Sequence, residues 1–272
     1  MKKIFKSFKS SPKSSIKWSN YFEIYENILN KYINKKITLV EIGVGNGGSL
    51  FMWKKFLGKK ANIIGVELNP EAKKLEKYGF QIFIGDQSDP IFWRSFYKKV
   101  KNIDILIDDG GHTNLQQITS FMEAIHYIND NGLIVIEDTH TSFMNYKGFK
   151  NPSKNSFINF STNIIENIHR RNPMLKRKMN EISNKIYSIE YYDSIVAINI
   201  KKKNLNYSKN IQNNKKLNSN FTDYRFKRII NKKYQRDNKF TNFIKSKISK
   251  KGILQRLFEN YRIRKYLKKI NN

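Results

Sequence analysis

Residues 37–48 read Ile-Thr-Leu-Val-Glu-Ile-Gly-Val-Gly-Asn-Gly-Gly, a short apolar run that stops in alternating glycines. The run is rich in β-branched and aliphatic residues and has the length of a buried parallel strand. Glu41, Gly43, Gly45 and Gly47 fall at every second position across its end. Beyond them Leu50, Trp53, Phe56 and Leu57 recur at helical spacing, and Gly58 is placed to end that helix. The stretch therefore predicts strand, glycine turn, helix.

A turn that tight needs residues that tolerate positive φ, and a ligand that touches the backbone needs positions without a Cβ. The dinucleotide-binding turn has the spacing G-x-G-x-x-G and faces a pyrophosphate. Here the spacing is acid-x-Gly-x-Gly-x-Gly, and a carboxylate at Glu41 repels a pyrophosphate and welcomes an ammonium. A second apolar run, Asn62 to Val66, ends in Glu67, at the distance beyond the glycines where an acid reads a ribose hydroxyl pair. Together these pieces resemble the class I S-adenosylmethionine-dependent methyltransferases. The resemblance implies Glu41 and the loop of Gly43, Gly45 and Gly47 near the methionine moiety, Glu67 on the ribose, and Asp86 of Gly85-Asp86-Gln87-Ser88-Asp89 near the adenine.

The 272 residues suffice for one α/β domain and an appendage, and with no cysteine, disulfides and thiolate metal sites are excluded. No apolar stretch approaches a membrane span, and the basic opening lacks the apolar core of a secretory signal, so a cytoplasmic location is expected. The net charge of +30 sits at the ends: six lysines and no acid in residues 1–20, and 23 basic against three acidic residues in 201–272, which leaves +4 for the centre. The expected organisation is a basic segment 1–20, a methyltransferase domain 21–200, and a basic linker and helical tail 201–272.

Within the centre, strands are expected at about 37–42, 62–67, 80–84, 103–108 and 132–137. A helix over Tyr21–Tyr32 leads in, others fall near 49–57, 70–78, 90–99 and 114–128, and one more spans Phe157–His169. Such alternation predicts a doubly wound, mostly parallel sheet with ligands at the carboxyl ends of its strands. Two further runs, 186–192 and 194–200, are joined by almost nothing and can pair only as an antiparallel hairpin, giving seven strands.

The fourth and fifth strands end in Asp108-Asp109-Gly110-Gly111-His112 and Glu137-Asp138-Thr139-His140. If these strands are neighbours, their ends lie roughly 5 Å apart, so Asp109, Glu137 and Asp138 can converge. Converging carboxylates repel unless they share a proton or a cation. Hard oxygen donors without thiolate favour Mg²⁺, Mn²⁺ or Ca²⁺. Singly, each residue also admits a plain structural role. The acids can cap nearby amides, and His112 can simply precede a helix capped by Thr113 and Gln116.

At this point the resemblance narrows. VEIGVGNGGS, GDQSDP, LIDDGGH, VIEDTHTS and EYYDSIVAI look like the metal-dependent sugar O-methyltransferases of the macrocin and mycinamicin type. The resemblance implies Mg²⁺ on Asp109, Glu137 and Asp138, with His112 as general base, and a sugar with a vicinal diol as acceptor. Gly111 departs from the serine common in that family. Two alternative functions remain: methylation of RNA, suggested by the basic ends, or of a catechol-like phenol. A non-catalytic binding protein on the same fold is a third reading. Apolar residues from Ile253 to Leu267 recur at helical spacing among lysines and arginines, the pattern of a helix lying on an anionic membrane surface. The expected partners are accordingly a free or lipid-linked sugar and an anionic membrane surface at the inner face, with nucleic acid less favoured and a homo-oligomer open.

Overall fold

The computed structural model describes residues 2–145, 149–169, 172, 181–182, 184–203, 211 and 213. The helix expected within Ile253–Leu267, and most of the linker before it, lie outside the described residues. No described helix is long and apolar enough to cross a membrane.

Seven strands form one sheet: β1 Thr38–Ile42, β2 Asn62–Glu67, β3 Gln81–Ile84, β4 Ile103–Asp108, β5 Ile128–Ile136, β6 Ile186–Tyr192 and β7 Ile195–Ile200. Their spatial order is β3-β2-β1-β4-β5-β7-β6. The first five run parallel, and β7 pairs antiparallel with both β5 and β6. The chain steps outward from β1 through β2 to β3, then returns to start again at β4. The carboxyl ends of β1 and β4 therefore flank the crevice where ligands collect in such sheets.

Helices cover both faces. On one lie α1 Lys3–Lys9, α2 Tyr21–Leu29 and α3 Gly48–Leu57, and on the other α4 Pro90–Val100, α5 Asn114–Ala124 and α6 Phe157–His169. The sheet residues supply both cores by alternation: Leu39 and Ile105 face one side, Val40 and Leu106 the other. Pro70–Tyr78 is helical as expected but wound as a 3₁₀ helix, with Asn69 capping Glu71 N–H and Gly79 ending it in the left-handed region. The helix expected to reach residue 128 stops at Ala124, because Ile128 already opens β5 and pairs with Ile103. Thr113 and Gln116 make the capping box their spacing announced.

The first residues are part of this body. Ile4 is fully buried, Phe5 and Phe8 pack on Phe22, and Glu26 accepts from the Lys3 and Ile4 N–H groups. From α1 the chain passes over the start of α3. There Ser11 donates to the Gly48 carbonyl (2.9 Å) and Asn46 to the Ser14 hydroxyl (3.0 Å). A Cβ on Gly48 would lie 2.4 Å from the Ser14 carbonyl oxygen, so the crossing is backbone on backbone.

Candidate active site

The glycine turn behaves as its spacing requires. Gly43, Gly45 and Gly47 take φ of 81°, 48° and 86°. Gly43 and Gly45 line a cleft of about 330 Å³ that also takes in Glu67, Asp86, Gln87, Asp109 and Gly110. Glu67 is fixed at the end of β2 by the N–H groups of Gly45 (3.1 Å), Leu68 (2.8 Å) and Asn69 (3.0 Å). Asp86 is exposed on the cleft wall, its carboxylate accepting from the Ser88 N–H and hydroxyl, both at 2.7 Å.

Glu41, which the resemblance puts near the methionine moiety, does not itself line the cleft. It is fully buried beneath the turn and accepts from Ser49 (2.6 Å) and Trp53 Nε1 (3.0 Å). Burial pushes its carboxyl up to about 7, against the pull of Lys17 and the two hydrogen bonds. Its alternation with Ile42 explains this: odd positions of β1 point towards α2 and α3, where Leu39 also packs.

The acids at the ends of β4 and β5 divide by direction. Asp108 points into the core, where Gln87 Nε2 donates to it at 2.9 and 3.1 Å, and burial raises its pKa. Gln87 also accepts from Gly111 N–H (2.8 Å), so one amide ties the 85–89 loop to the loop after β4. Asp109 turns into the cleft. An oxygen of Asp109, a ring nitrogen of His112 and an oxygen of Asp138 all lie within 4.8 Å of one another. His112 Nε2 is 3.4 Å from Asp138 Oδ2 and 3.9 Å from Asp109 Oδ1. Both His112 (φ 57°) and Asp138 (φ 53°) are held in the left-handed region, strain that the surrounding contacts maintain. Among the described residues, His112 Nδ1 is a buried polar atom with no hydrogen-bond partner.

Glu137, expected beside them, lies deeper. It is 1% exposed and accepts from the Tyr25 hydroxyl and from Lys17 Nζ (2.6 Å). The Lys17 ammonium also reaches Asp109 Oδ2 at 2.5 Å and stands 3.9 Å from Glu41. The carboxylates do converge on a shared cation, and here the chain supplies it. Burial alone would depress Lys17, but Glu137, Asp109 and Glu41 outweigh it and hold the ammonium protonated. Burial pushes Glu137 up to about 8. The contacts favour a charged ammonium held among Glu137, Asp109 and Glu41.

Asp138 is gripped from the other side. Tyr21 donates to its Oδ1 (2.5 Å) and accepts from its N–H (3.1 Å), and Trp18 Nε1 adds a third bond (3.1 Å). The exposed Trp18 ring stands edge-on to His140, 6.0 Å away, and Thr141 ties the loop back to the His112 carbonyl at 3.0 Å. Lys17, Trp18, Tyr21, Tyr25 and Gln87 are thus site residues that the sequence reading passed over. Tyr21 and Tyr25 stand on the apolar stripe of α2, and only their hydroxyls reveal a second task.

Oxygen-rich and thiolate-free, the Asp109–His112–Asp138 group fits a hard divalent cation. The glycine-lined cleft beside it, walled by two acids, fits a nucleoside-bearing ligand.

No family model matches the sequence. Among curated proteins the chain is 30% identical over 165 residues to 8-demethyl-8-alpha-L-rhamnosyl tetracenomycin-C 2'-O-methyltransferase of Streptomyces olivaceus, 57% of this chain and 43% of that protein. It is 32% identical over 138 residues to demethylmacrocin O-methyltransferase of Streptomyces fradiae (48% and 34%), and 32% over 126 residues to mycinamicin VI 2''-O-methyltransferase of Micromonospora griseorubida (44% and 31%). The chain thus spans less than half the length of these relatives. The solved structure of the MycE methyltransferase of the mycinamycin biosynthetic pathway, in complex with Mg, SAH and mycinamycin VI, superposes with a TM-score of 0.65 at 23% identity, over 75% of this chain and 54% of that one. The chain therefore has the class I methyltransferase fold and is a sequence relative of the macrocin and mycinamicin type sugar O-methyltransferases.

Proposed function

We propose that this protein transfers a methyl group from S-adenosylmethionine to a sugar hydroxyl, with a divalent cation at the ends of β4 and β5 and His112 as the base. The observation that carries the reading is the Asp109–His112–Asp138 group, within 4.8 Å, opening on the glycine-lined cleft. S-adenosylmethionine supplies a methyl already activated by its sulfonium charge. A divalent cation supplies a Lewis acid that makes a sugar hydroxyl easier to deprotonate.

The chain's own residues account for the rest. Gly45, with open space where a Cβ would stand, would let a cofactor approach the backbone, and Glu67 on the cleft wall would read the ribose hydroxyls. Asp86, exposed on the cleft wall, would meet the adenine amine. Asp109 and Asp138 would hold the cation, and Glu137, the third acid of the expected set, stands just beneath them. His112 Nε2 takes the hydroxyl proton, and Asp138 Oδ2 at 3.4 Å steadies the resulting imidazolium. Trp18, exposed beside His140, offers a flat apolar surface for one face of a sugar ring. Relatives named for O-methylation of a rhamnosyl compound and of mycinamicin favour a sugar acceptor over RNA or a phenol.

The test is S-adenosylmethionine binding by calorimetry followed by turnover against nucleotide-linked and glycoside-linked sugars, with and without EDTA. Turnover that EDTA abolishes and Mg²⁺ restores supports the reading. Cofactor binding with EDTA-resistant activity on RNA would replace it, and absence of cofactor binding would remove it.

A further inference from the structure

We propose that the hollow between α1 and α3 is a second binding site, which takes a phosphate group, free or as the headgroup of a membrane lipid, on the ammonium groups of Lys55 and Lys59. It shares no lining residue with the glycine-lined cleft, and the inference does not depend on methyl transfer.

The sequence sets up the charge. Residues 1–20 hold six lysines and residues 43–66 hold four, and neither stretch contains an acid. The fold lays one along the other. Lys55 Nζ on α3 donates to the Ser10 hydroxyl at the end of α1 (2.6 Å), and Lys3 Nζ stands 6.0 Å from the Phe56 ring. The acids of α2 that meet α1 do so at its opening turn, where Glu23 pairs with Lys2 (3.0 Å) and Glu26 accepts from the Lys3 and Ile4 N–H groups. They do not line the hollow.

The hollow measures about 300 Å³, and its walls include Ser7, Ser10, Phe51, Lys54, Lys55 and Lys59, with no carboxylate among them. Lys54 is already spent: its ammonium donates to the Lys59 carbonyl (3.2 Å) and the Ala61 carbonyl (2.5 Å), and so fastens the turn after α3. Lys55 has one neutral partner, the Ser10 hydroxyl, and among the described residues neither Lys55 nor Lys59 has an acidic one. Both lysines are exposed, and both keep donors to offer. Like charges beside the apolar wall of Phe51 concentrate a positive potential in the hollow, and an anion that enters relieves their repulsion. A phosphate suits this arrangement better than a carboxylate, because it brings more charge and more acceptor oxygens to two separate ammonium groups.

The experiment uses the full chain, in a calorimetric titration with sodium diphosphate at fixed ionic strength and in cosedimentation with vesicles of phosphatidylglycerol in phosphatidylcholine. Lys55→Ala/Lys59→Ala should weaken binding at least about tenfold. Lys98→Ala/Lys99→Ala, which removes the same charge from the exposed side of α4 on the opposite face of the sheet, should change it less than about twofold. Diphosphate binding with this dependence supports a free phosphate ligand, and vesicle binding alone with the same dependence supports a lipid headgroup. If both pairs weaken binding alike, net charge and not the hollow is responsible and the inference falls. It falls equally if the Lys55/Lys59 pair changes nothing, or if the wild type binds neither probe. Should the double variant lose helix content by circular dichroism, Lys59→Ala alone, which lies outside α3, carries the test with an expected loss of at least about threefold; no loss there overturns the inference.

Discussion

Gly43 and Asp109 meet backbone to backbone: a Cβ on Gly43 would stand 2.0 Å from the Asp109 carbonyl oxygen. The glycine turn after β1 is thereby seated directly on the residue after β4 that faces the acidic cluster. The Asp109 N–H in turn donates to the Ile42 carbonyl at 3.0 Å. Gly43→Ala must both shift that backbone and place a side chain at φ 81°. We expect a loss of at least about 2 kcal/mol in stability and weakening of cofactor and metal binding together. Thermal denaturation with paired calorimetric titrations checks this. Loss of cofactor binding alone would mean that the two halves of the site are not joined here.

Tyr21 serves Asp138 twice, as donor to its carboxylate and acceptor from its N–H. Tyr21→Phe removes both bonds and leaves the N–H of a left-handed residue without that partner. A loss of about 1–2 kcal/mol in urea unfolding is expected, with a fall in turnover and unchanged S-adenosylmethionine affinity, since the cofactor cleft lies on the far side of Asp109.

His112→Asn keeps a residue that accepts φ 57° and removes the ring nitrogen that faces both aspartates. Turnover should fall by about 100-fold or more, with cofactor affinity retained. Unchanged turnover would take the base role away from His112.

Glu41 gives a pH dependence whose sign is fixed by its burial. Its folded pKa, raised from 4.5 to about 7, means that the folded chain holds a proton that the unfolded chain has released. Stability from this group is therefore greatest below 4.5 and declines as pH rises to about 7. Lys17 does not oppose the trend, because its contribution is full below 10.5 and is lost only above that value. Melting temperatures measured from pH 5 to pH 7.5 should fall less steeply in Glu41→Gln than in the wild type; parallel slopes would show that Glu41 does not govern the decline.

Much of this was legible in the sequence because parallel strands buried on both faces are continuous apolar runs, and their ends are marked by glycine and acid. The seven strands, the hairpin at Asp193-Ser194 and the capping box at Thr113 all follow from local chemistry. The same local chemistry places Asp109 and Asp138 together once β4 and β5 are neighbours. It does not say which way each acid points. Glu41 and Glu137 turn inward, and that depends on what fills the space beneath them. The filler is Lys17 with Tyr25, which contact Glu137 across 120 and 112 residues of chain. In the sequence, Lys17 is one of six lysines in a basic opening, with nothing nearby to single it out. Long-range charge pairing of this kind has no periodicity to betray it.

That span has a consequence for the order in which the molecule assembles. The segment bearing Lys17 and Trp18 cannot take its place until Glu137 and Asp138 have arrived at the end of β5, more than a hundred residues later. Contacts of such separation require a long loop to close before they return any stabilisation. The acidic pocket is therefore expected to close only after β4 and β5 stand side by side, so that its charge-matched interior reports on strands that have already paired.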